Sequence, residues 1–120
     1  MDNESLTTLL DAVYGWKVKD GKAVPPSSDY LPECIKERIK YFKDDIRNGG
    51  LAIIGAINLI LSEDEKECKE LYELGAVKPW LPLSEEARQW LNVDGYYYNI
   101  KKLAITIAVT YNTVPDEVED

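Results

Sequence analysis

The sequence LAIIGAINLIL, at residues 51–61, is almost entirely apolar and determines which folds are open to the chain. Asn58 is its one polar side chain. A helix that is apolar on every side belongs inside a protein core, and this segment is well short of the roughly 20 residues that cross a bilayer. We therefore expect residues 51–61 to form a central helix that the rest of the chain covers, with Asn58 as a satisfied polar group of the core.

Length and composition are those of one globular domain spanning residues 1–120. Of the 120 residues, 45% are hydrophobic and 30% are charged, and these proportions are typical of soluble globular proteins. The N-terminal sequence MDNESLTTLLD is acidic and lacks the basic start and apolar run of a signal peptide. Together with the presence of only two cysteines, this favours a cytoplasmic location.

Hydrophobic spacing predicts two helices before the central one. Residues 5–16 carry one apolar stripe, and residues 29–47 carry a longer one. Asp29 or Ser28 is the expected N-cap of the second helix. The sequence NGG at residues 48–50 should end it, because glycine readily adopts the left-handed conformation found after helix C-termini.

Two interpretations of residues 62–74 remain open. Ser62, followed three residues later by Glu65, matches a capping box that would begin a new helix. Alternatively, residues 51–74 form one long helix, since a three-four spacing of mostly apolar residues continues through them. A further short helix is predicted at residues 85–91, directly after a serine that is a favoured N-cap.

Two other segments carry strand patterns. The pair Asp20-Gly21 favours a tight type I′ turn between two short strands at residues 16–24. Residues 103–111, LAITIAVTY, alternate like a strand but also form a continuous helical stripe. We favour the helix, because the sequence contains no second strand of similar length to pair with it.

The sequence thus predicts a mainly α fold: a small bundle of four or five helices around a buried central helix at residues 51–61, with one or two short β-hairpins. The alternative is an α+β fold in which residues 103–111 form a strand beside the hairpin at residues 16–24. The conformation of residues 103–111 decides between the two.

The net charge of −8 is concentrated in two segments. Residues 62–74 hold six acids against two lysines, and residues 113–120 hold four more acids in what we expect to be a flexible tail. Such a field repels nucleic-acid phosphates and anionic membranes, and it accelerates association with basic surfaces. We therefore expect the partner to be another protein with a basic surface, and neither nucleic acid nor a membrane.

Two groups of residues are candidates for binding that partner. Acidic residues interleave with lysines in the first group, as they also do on ordinary solvated helices; the acids are Glu63, Asp64, Glu67, Glu70 and Glu73. Aromatic residues form the second group, and such residues anchor interfaces but also complete the edge of a core; they are Trp80, Trp90, Tyr96, Tyr97 and Tyr98.

Catalysis, a metal and a cofactor are not expected. The chain has no histidine, which is the commonest general base and metal ligand. Cys34 and Cys68 alone do not complete a four-ligand metal site, and we expect them to be packed thiols; the sequence leaves open whether they are in contact. The sequence indicates a non-enzymatic acidic protein-binding domain, an inhibitor or immunity-type protein that docks on a basic surface of a larger partner such as a nuclease. The alternative is a structural or accessory subunit bound through an apolar and aromatic patch.

Overall fold

Helices dominate the structure. The computed structural model describes residues 3–76 and 78–114, and within these ranges the chain forms six α-helices and one antiparallel β-hairpin. In chain order they are α1 (Asn3–Tyr14), β1 (Lys17–Lys19), β2 (Lys22–Val24), α2 (Glu33–Arg47), α3 (Ile53–Leu61), α4 (Glu65–Glu73), α5 (Glu85–Leu91) and α6 (Tyr98–Thr110). The predicted mainly α fold with a short hairpin is confirmed, with one helix more than expected. None of the described helices is both long and apolar enough to span a membrane.

The hairpin depends on its two-residue turn. Asp20 and Gly21 both have positive φ, at 53° and 77°, as a type I′ turn requires. The strands on either side pair Lys19 with Lys22. The predicted turn is therefore confirmed, and the sheet in the described part of the chain contains these two strands only.

α2 presents a continuous apolar face to the core, and its fully buried members are Ile35, Ile39 and Phe42. The helix ends at Asn48, as the sequence predicts. The predicted N-cap is wrong, because Pro32 occupies the cap position and no side chain caps the helix. Ser28 serves another purpose: its hydroxyl donates a hydrogen bond of 2.8 Å to the carbonyl of Thr113.

α3 is only partly enclosed, which corrects the prediction that residues 51–61 are covered on nearly every side. Burial is confined to its last six positions, where the buried residues are Ala56, Ile57, Leu59, Ile60 and Leu61. In the first turn, Ile53 is 40% exposed and Ile54 is 74% exposed. Asn58 is also exposed rather than part of the core. The physical reason is that α2, α4 and α6, which pack on α3, leave its first turn in solvent.

α3 and α4 are separate helices, so the single helix over residues 51–74 is excluded. Ser62 adopts the left-handed conformation, with φ of 46° and ψ of 51°, and interrupts the helical path. The new helix is capped by Asp64, whose carboxylate accepts a hydrogen bond from the backbone N–H of Glu67 at 3.1 Å. The capping box is therefore wrong in its cap residue, because the Ser62 hydroxyl donates to the carbonyl of Leu59 instead.

Residues 103–110 continue α6 and residue 111 is its C-cap, so the α+β alternative is wrong. Ala104, Ile105 and Ala108 are buried, and α6 packs against α1 and α3. Small side chains at positions 104 and 108 allow neighbouring helices to approach closely. Packing therefore outweighs the preference of β-branched residues for strands.

Arg38 connects α2 to the segments that follow it. Its side chain is buried, and its guanidinium donates to the carbonyls of Leu59 (2.8 Å) and Ile60 (3.1 Å), to the Ser62 hydroxyl (3.0 Å) and to the carbonyl of Leu81 (2.7 Å). Burial lowers the pKa of Arg38 to about 10, and the nearby charge of Glu65 opposes that shift. The guanidinium thus satisfies carbonyls at the C-terminus of α3 that have no partner within the helix.

Two buried lysines bind backbone carbonyls in the same way. Lys101 donates to the carbonyl of Trp90 near the end of α5, and Lys43 donates to the carbonyl of Val114. Val114 is itself fully buried. The predicted flexible tail at residues 113–120 is therefore packed at its first two positions, and its remaining residues lie outside the described part of the chain.

Glu65 joins α4 to the segment before α5. One of its oxygens, Oε2, accepts from the indole N–H of Trp80 (3.2 Å) and the backbone N–H of Leu83 (2.8 Å), and Oε1 accepts from Arg88 (2.8 Å). Burial favours a higher pKa for Glu65, but these hydrogen bonds outweigh it and lower the pKa below its ordinary value. The sequence indicated Glu65 only as the acid of a capping box, because the partners that it binds in the structure lie 15 to 23 residues away.

The Arg38 contacts predict a large loss of stability when the guanidinium is removed. We expect Arg38→Met to lower the free energy of unfolding by about 3 kcal/mol, because several buried acceptors lose their donor at about 1 kcal/mol or more each. Urea denaturation followed by circular dichroism measures the change. The exposed Lys66→Met is the control and should stay within about 0.5 kcal/mol of the unmodified chain. A similar, small effect of both substitutions would contradict the role of Arg38.

The depressed pKa of Glu65 predicts a pH-dependent contribution to stability. Because the folded pKa lies below the unfolded value of about 4.3, the stabilisation is present above that value and is lost as pH falls through the folded pKa. We expect Glu65→Gln to cost about 2 kcal/mol at neutral pH and progressively less in acid. Urea denaturation across the pH range tests this, with the exposed Glu67→Gln as control. A constant cost at every pH would contradict the assignment.

Candidate functional site

Two of the predicted acidic residues serve the fold. Glu63 accepts hydrogen bonds from the hydroxyl of Tyr98 (2.6 Å) and from Lys102 (3.2 Å), and these donors lower its pKa. Asp64 is the N-cap of α4. Both residues still add negative charge to this part of the surface, but their carboxylates are already occupied by partners within the chain.

The other three predicted acids, Glu67, Glu70 and Glu73, extend into solvent from α4. Among the described residues, no hydrogen bond or ion pair engages their carboxylates. Two large apolar side chains emerge between them: Leu71 is 59% exposed and Leu74 is 84% exposed. The outward side of α4 therefore combines free negative charge with exposed leucine, which the sequence pattern alone did not separate from an ordinary solvated face.

The predicted aromatic residues do not lie on one surface. Trp80 and Tyr98 are both buried, and the Trp80 ring packs 5.6 Å from Phe42 and 5.7 Å from Tyr72. Trp90 and Tyr97 are half-buried. Tyr96 differs from the rest, because 92% of it is exposed. The aromatic residues thus mostly complete the core, and Tyr96 is the member that faces solvent.

A cleft of about 720 Å³ opens beside α3, between the end of α2 and α4. Its apolar wall includes Leu51, Leu59 and Leu71. Leu51, Gly55 and Leu59, spaced four residues apart, all line this cleft. One side of the segment therefore packs in the core while another lines a cavity.

Small residues create the space. The lining includes Gly50, Gly55, Gly75 and Ala76, which carry no side chain beyond a methyl group. A Cβ at Gly75 would meet no atom within 4 Å, whereas one at Gly55 would lie 3.2 Å from the side chain of Leu51. Where three helices and a loop meet with so little side-chain volume, an open cleft remains. The sequence does not show that these glycines lie close together in the folded chain, so the cleft could not be predicted from it.

One corner of the cleft is polar and is formed by Asp45, Tyr72 and Lys78. The Tyr72 hydroxyl donates to Oδ2 of Asp45 at 2.9 Å, and burial together with this carboxylate raises the pKa of Tyr72. Lys78 Nζ lies 3.8 Å from the same oxygen. That amine instead donates to the carbonyl of Tyr41 at 2.6 Å and lies 4.0 Å from the centre of the Tyr41 ring.

The two cysteines are free thiols in different surroundings. Cys68 lines the cleft and donates a long hydrogen bond of 3.7 Å to the carbonyl of Asn58. Burial, with the charges of Asp64 and Glu67, raises its pKa. Burial also raises the pKa of Cys34, whose thiol interacts with Glu86. Neither thiol is activated as a nucleophile, since activation requires a lowered pKa.

The described residues include no group of three or more cysteine, aspartate or glutamate side chains placed to hold a metal ion. The described residues thus form an acidic and apolar helix face next to an apolar cleft with one polar corner. No protein-family model matches the chain, and searches of curated proteins and of solved structures likewise find no match.

Proposed function

We propose that this chain is a non-enzymatic binding protein that docks the outward face of α4 onto a basic surface of a larger protein, as an inhibitor or immunity protein does with a nuclease. The observation that carries the proposal is the exposure of Leu71 and Leu74 among carboxylates that are not engaged within the described chain. We name this combination of residues 67, 70, 71, 73 and 74 the α4 face.

The exposed leucines argue against a face that serves only solubility. A solvated helix presents charged and polar groups, whereas contiguous exposed apolar area marks sites of association. Glu67, Leu71 and Leu74 follow an i, i+4, i+7 spacing and so share one side of the helix. A partner segment with apolar and basic side chains would bury the leucines and neutralise the acids together.

The distribution of positive charge strengthens the field around the α4 face. Arg38, Lys43 and Lys101 are buried and bind backbone carbonyls, so their charges are not displayed at the surface. The accessible surface is therefore more acidic than the net charge of −8 suggests. Such a field steers basic partners into encounter and raises their association rate at low ionic strength.

Neutralising the α4 face should weaken partner binding. We expect the combined substitution Glu67→Gln, Glu70→Gln and Glu73→Gln to reduce affinity about tenfold at low salt, with a smaller difference at high salt, because screening weakens exposed charge pairs. Leu74→Gln should also reduce affinity, but equally at both salt concentrations. The partner is first captured from native lysate and identified, and its purified form is then titrated by surface plasmon resonance.

A matched control removes the same number of charges elsewhere. Glu37, Asp29 and Asp94 are exposed and lie outside α4, so Glu37→Gln, Asp29→Asn and Asp94→Asn together should change affinity less than twofold. If this control weakens binding as much as the α4 variant does, net charge alone is responsible and the proposed docking face is wrong.

A second candidate, the accessory subunit bound through aromatic residues, is favoured by Tyr96. Its ring is almost fully exposed and makes an edge contact with Tyr97, with ring centres 5.2 Å apart. Tyrosine in this setting is a common interface anchor. Tyr96→Ser would abolish binding in this second case and leave it unchanged if the α4 face is the docking site.

A further inference from the structure

We propose that the cleft beside α3 binds a small amphiphilic molecule, with its apolar part along Leu51, Leu59 and Leu71 and a cationic nitrogen at Asp45. This site shares Leu71 with the α4 face, but its polar contact, Asp45, lies outside that face. Substitutions at Asp45 therefore test this proposal without altering the α4 face.

The size and lining of the cleft suit a small ligand. Its volume of about 720 Å³ lies within the range of roughly 300–1,000 Å³ found for small-molecule sites. Such sites combine mostly apolar walls with a few convergent polar groups. Here the leucines and glycines form the walls, and Asp45, Tyr72 and Lys78 form the polar corner.

The polar corner selects the sign of the ligand's charge. Lys78 lies 3.8 Å from Asp45 and also 3.9 Å from Asp44, a carboxylate outside the cleft lining, so its positive charge is shared and only partly offsets that of Asp45. The amine of Lys78 already donates to the carbonyl of Tyr41. The corner therefore offers negative charge, rather than an unoccupied cation, to an incoming group.

Asp45 also has unused acceptor capacity. An ionised carboxylate accepts about four hydrogen bonds, and in the described chain Asp45 accepts only one of 2.9 Å, from Tyr72 at Oδ2. Its side chain is 19% exposed, compared with 62% for Asp44. A protonated amine is the complementary group, since it carries several donors and the opposite charge.

Nearby carboxylates add negative charge around the cleft. The pKa of the Tyr72 hydroxyl is raised by burial and by Asp45, and the pKa of the Cys68 thiol is raised by burial and by Asp64 and Glu67. Both groups line the cleft, and both resist acquiring negative charge. Burial disfavours a charge of either sign, but the carboxylates that contribute to these shifts would repel an anionic amphiphile such as a fatty acid and attract a cationic one.

Three eight-carbon compounds that differ only in their head group test this selectivity. We expect octylamine to bind the unmodified chain at least tenfold more tightly than octanoate by isothermal titration calorimetry, with octanol between them. Equal affinity for the amine and the carboxylate, or no binding of either, would overturn the proposal. This comparison uses the unmodified chain and needs no variant to fold.

Adjacent aspartates supply a matched pair of variants. Asp45 lines the cleft whereas Asp44 does not contribute to its lining, and both lose one charge on conversion to Asn. We expect Asp45→Asn to weaken octylamine binding at least tenfold and Asp44→Asn to weaken it less than threefold, with circular dichroism verifying the fold of each. Equal losses would show attraction to general negative charge and would overturn the proposed contact.

The thiol of Cys68 reports where the ligand binds. In a Cys34→Ser background, Cys68 is the one remaining cysteine, so its reaction rate with a disulfide reagent follows access to the cleft. Octylamine at saturation should slow this reaction at least fivefold, and an unchanged rate would place the ligand elsewhere and overturn the proposal. Protection by a basic leucine-lysine peptide but not by octylamine would overturn it in favour of a peptide groove.

The same experiments separate this proposal from the proposed function. The combined substitution of Glu67, Glu70 and Glu73 to Gln should lower the affinity for the protein partner and change the affinity for octylamine less than threefold. Asp45→Asn should lower the affinity for octylamine and leave the affinity for the protein partner unchanged. A tenfold loss of octylamine affinity in the α4 variant would overturn the assignment of the ligand's nitrogen to Asp45.

Discussion

The structure depends on one buried guanidinium. Arg38 donates hydrogen bonds to the last turn of α3, to the turn before α4 and to the carbonyl of Leu81 before α5. Helix C-termini carry unpaired carbonyls and a partial negative charge, which makes a cation an effective partner there. Because its acceptors come from three different segments, Arg38 sets how α2, α3 and the loop before α5 lie relative to one another.

The same chemistry recurs at two lysines and shapes the surface. Lys43 and Lys101 also donate hydrogen bonds to backbone carbonyls. Several cationic side chains are therefore buried, whereas many acidic side chains are exposed. The division has a physical basis, because backbone carbonyls can compensate a buried cation but repel a buried anion. The exterior is acidic because buried cationic side chains satisfy the carbonyls of the interior and leave the acids at the surface.

Local features of this fold were predictable and distant ones were not. The apolar face of α2, its end at Asn48, the turn at Asp20-Gly21 and the Ser84 cap of α5 each depend on residues close in the chain. The helix over residues 103–110 was also predicted, because no partner strand is present. The hydrogen bonds of Arg38 and Glu65 join residues 15 to 43 positions apart, and no local pattern records them.

The candidate site shows the same limit. Six acids in residues 62–74 predicted a negative surface, but the sequence did not show that Glu63 and Asp64 are occupied while Leu71 and Leu74 are exposed. The enclosed helix predicted at residues 51–61 was the main error, since an apolar pattern shows neither that the first turn of α3 lies in solvent nor that part of the segment lines a cleft. Asp45, Tyr72 and Lys78 meet in that cleft from three separate segments.

Trp80 occupies the position where these long-range contacts converge. Its indole N–H is bound by Glu65, its ring lies 5.4 Å from the Arg38 guanidinium, and Phe42 and Tyr72 pack against it. Trp80 is buried, whereas Trp16 is 38% exposed and Trp90 is half-buried. Because Trp80 is the most buried of the three tryptophans, loosening of α2 from α4 would shift its share of the protein's intrinsic fluorescence towards that of an exposed indole, without an added label.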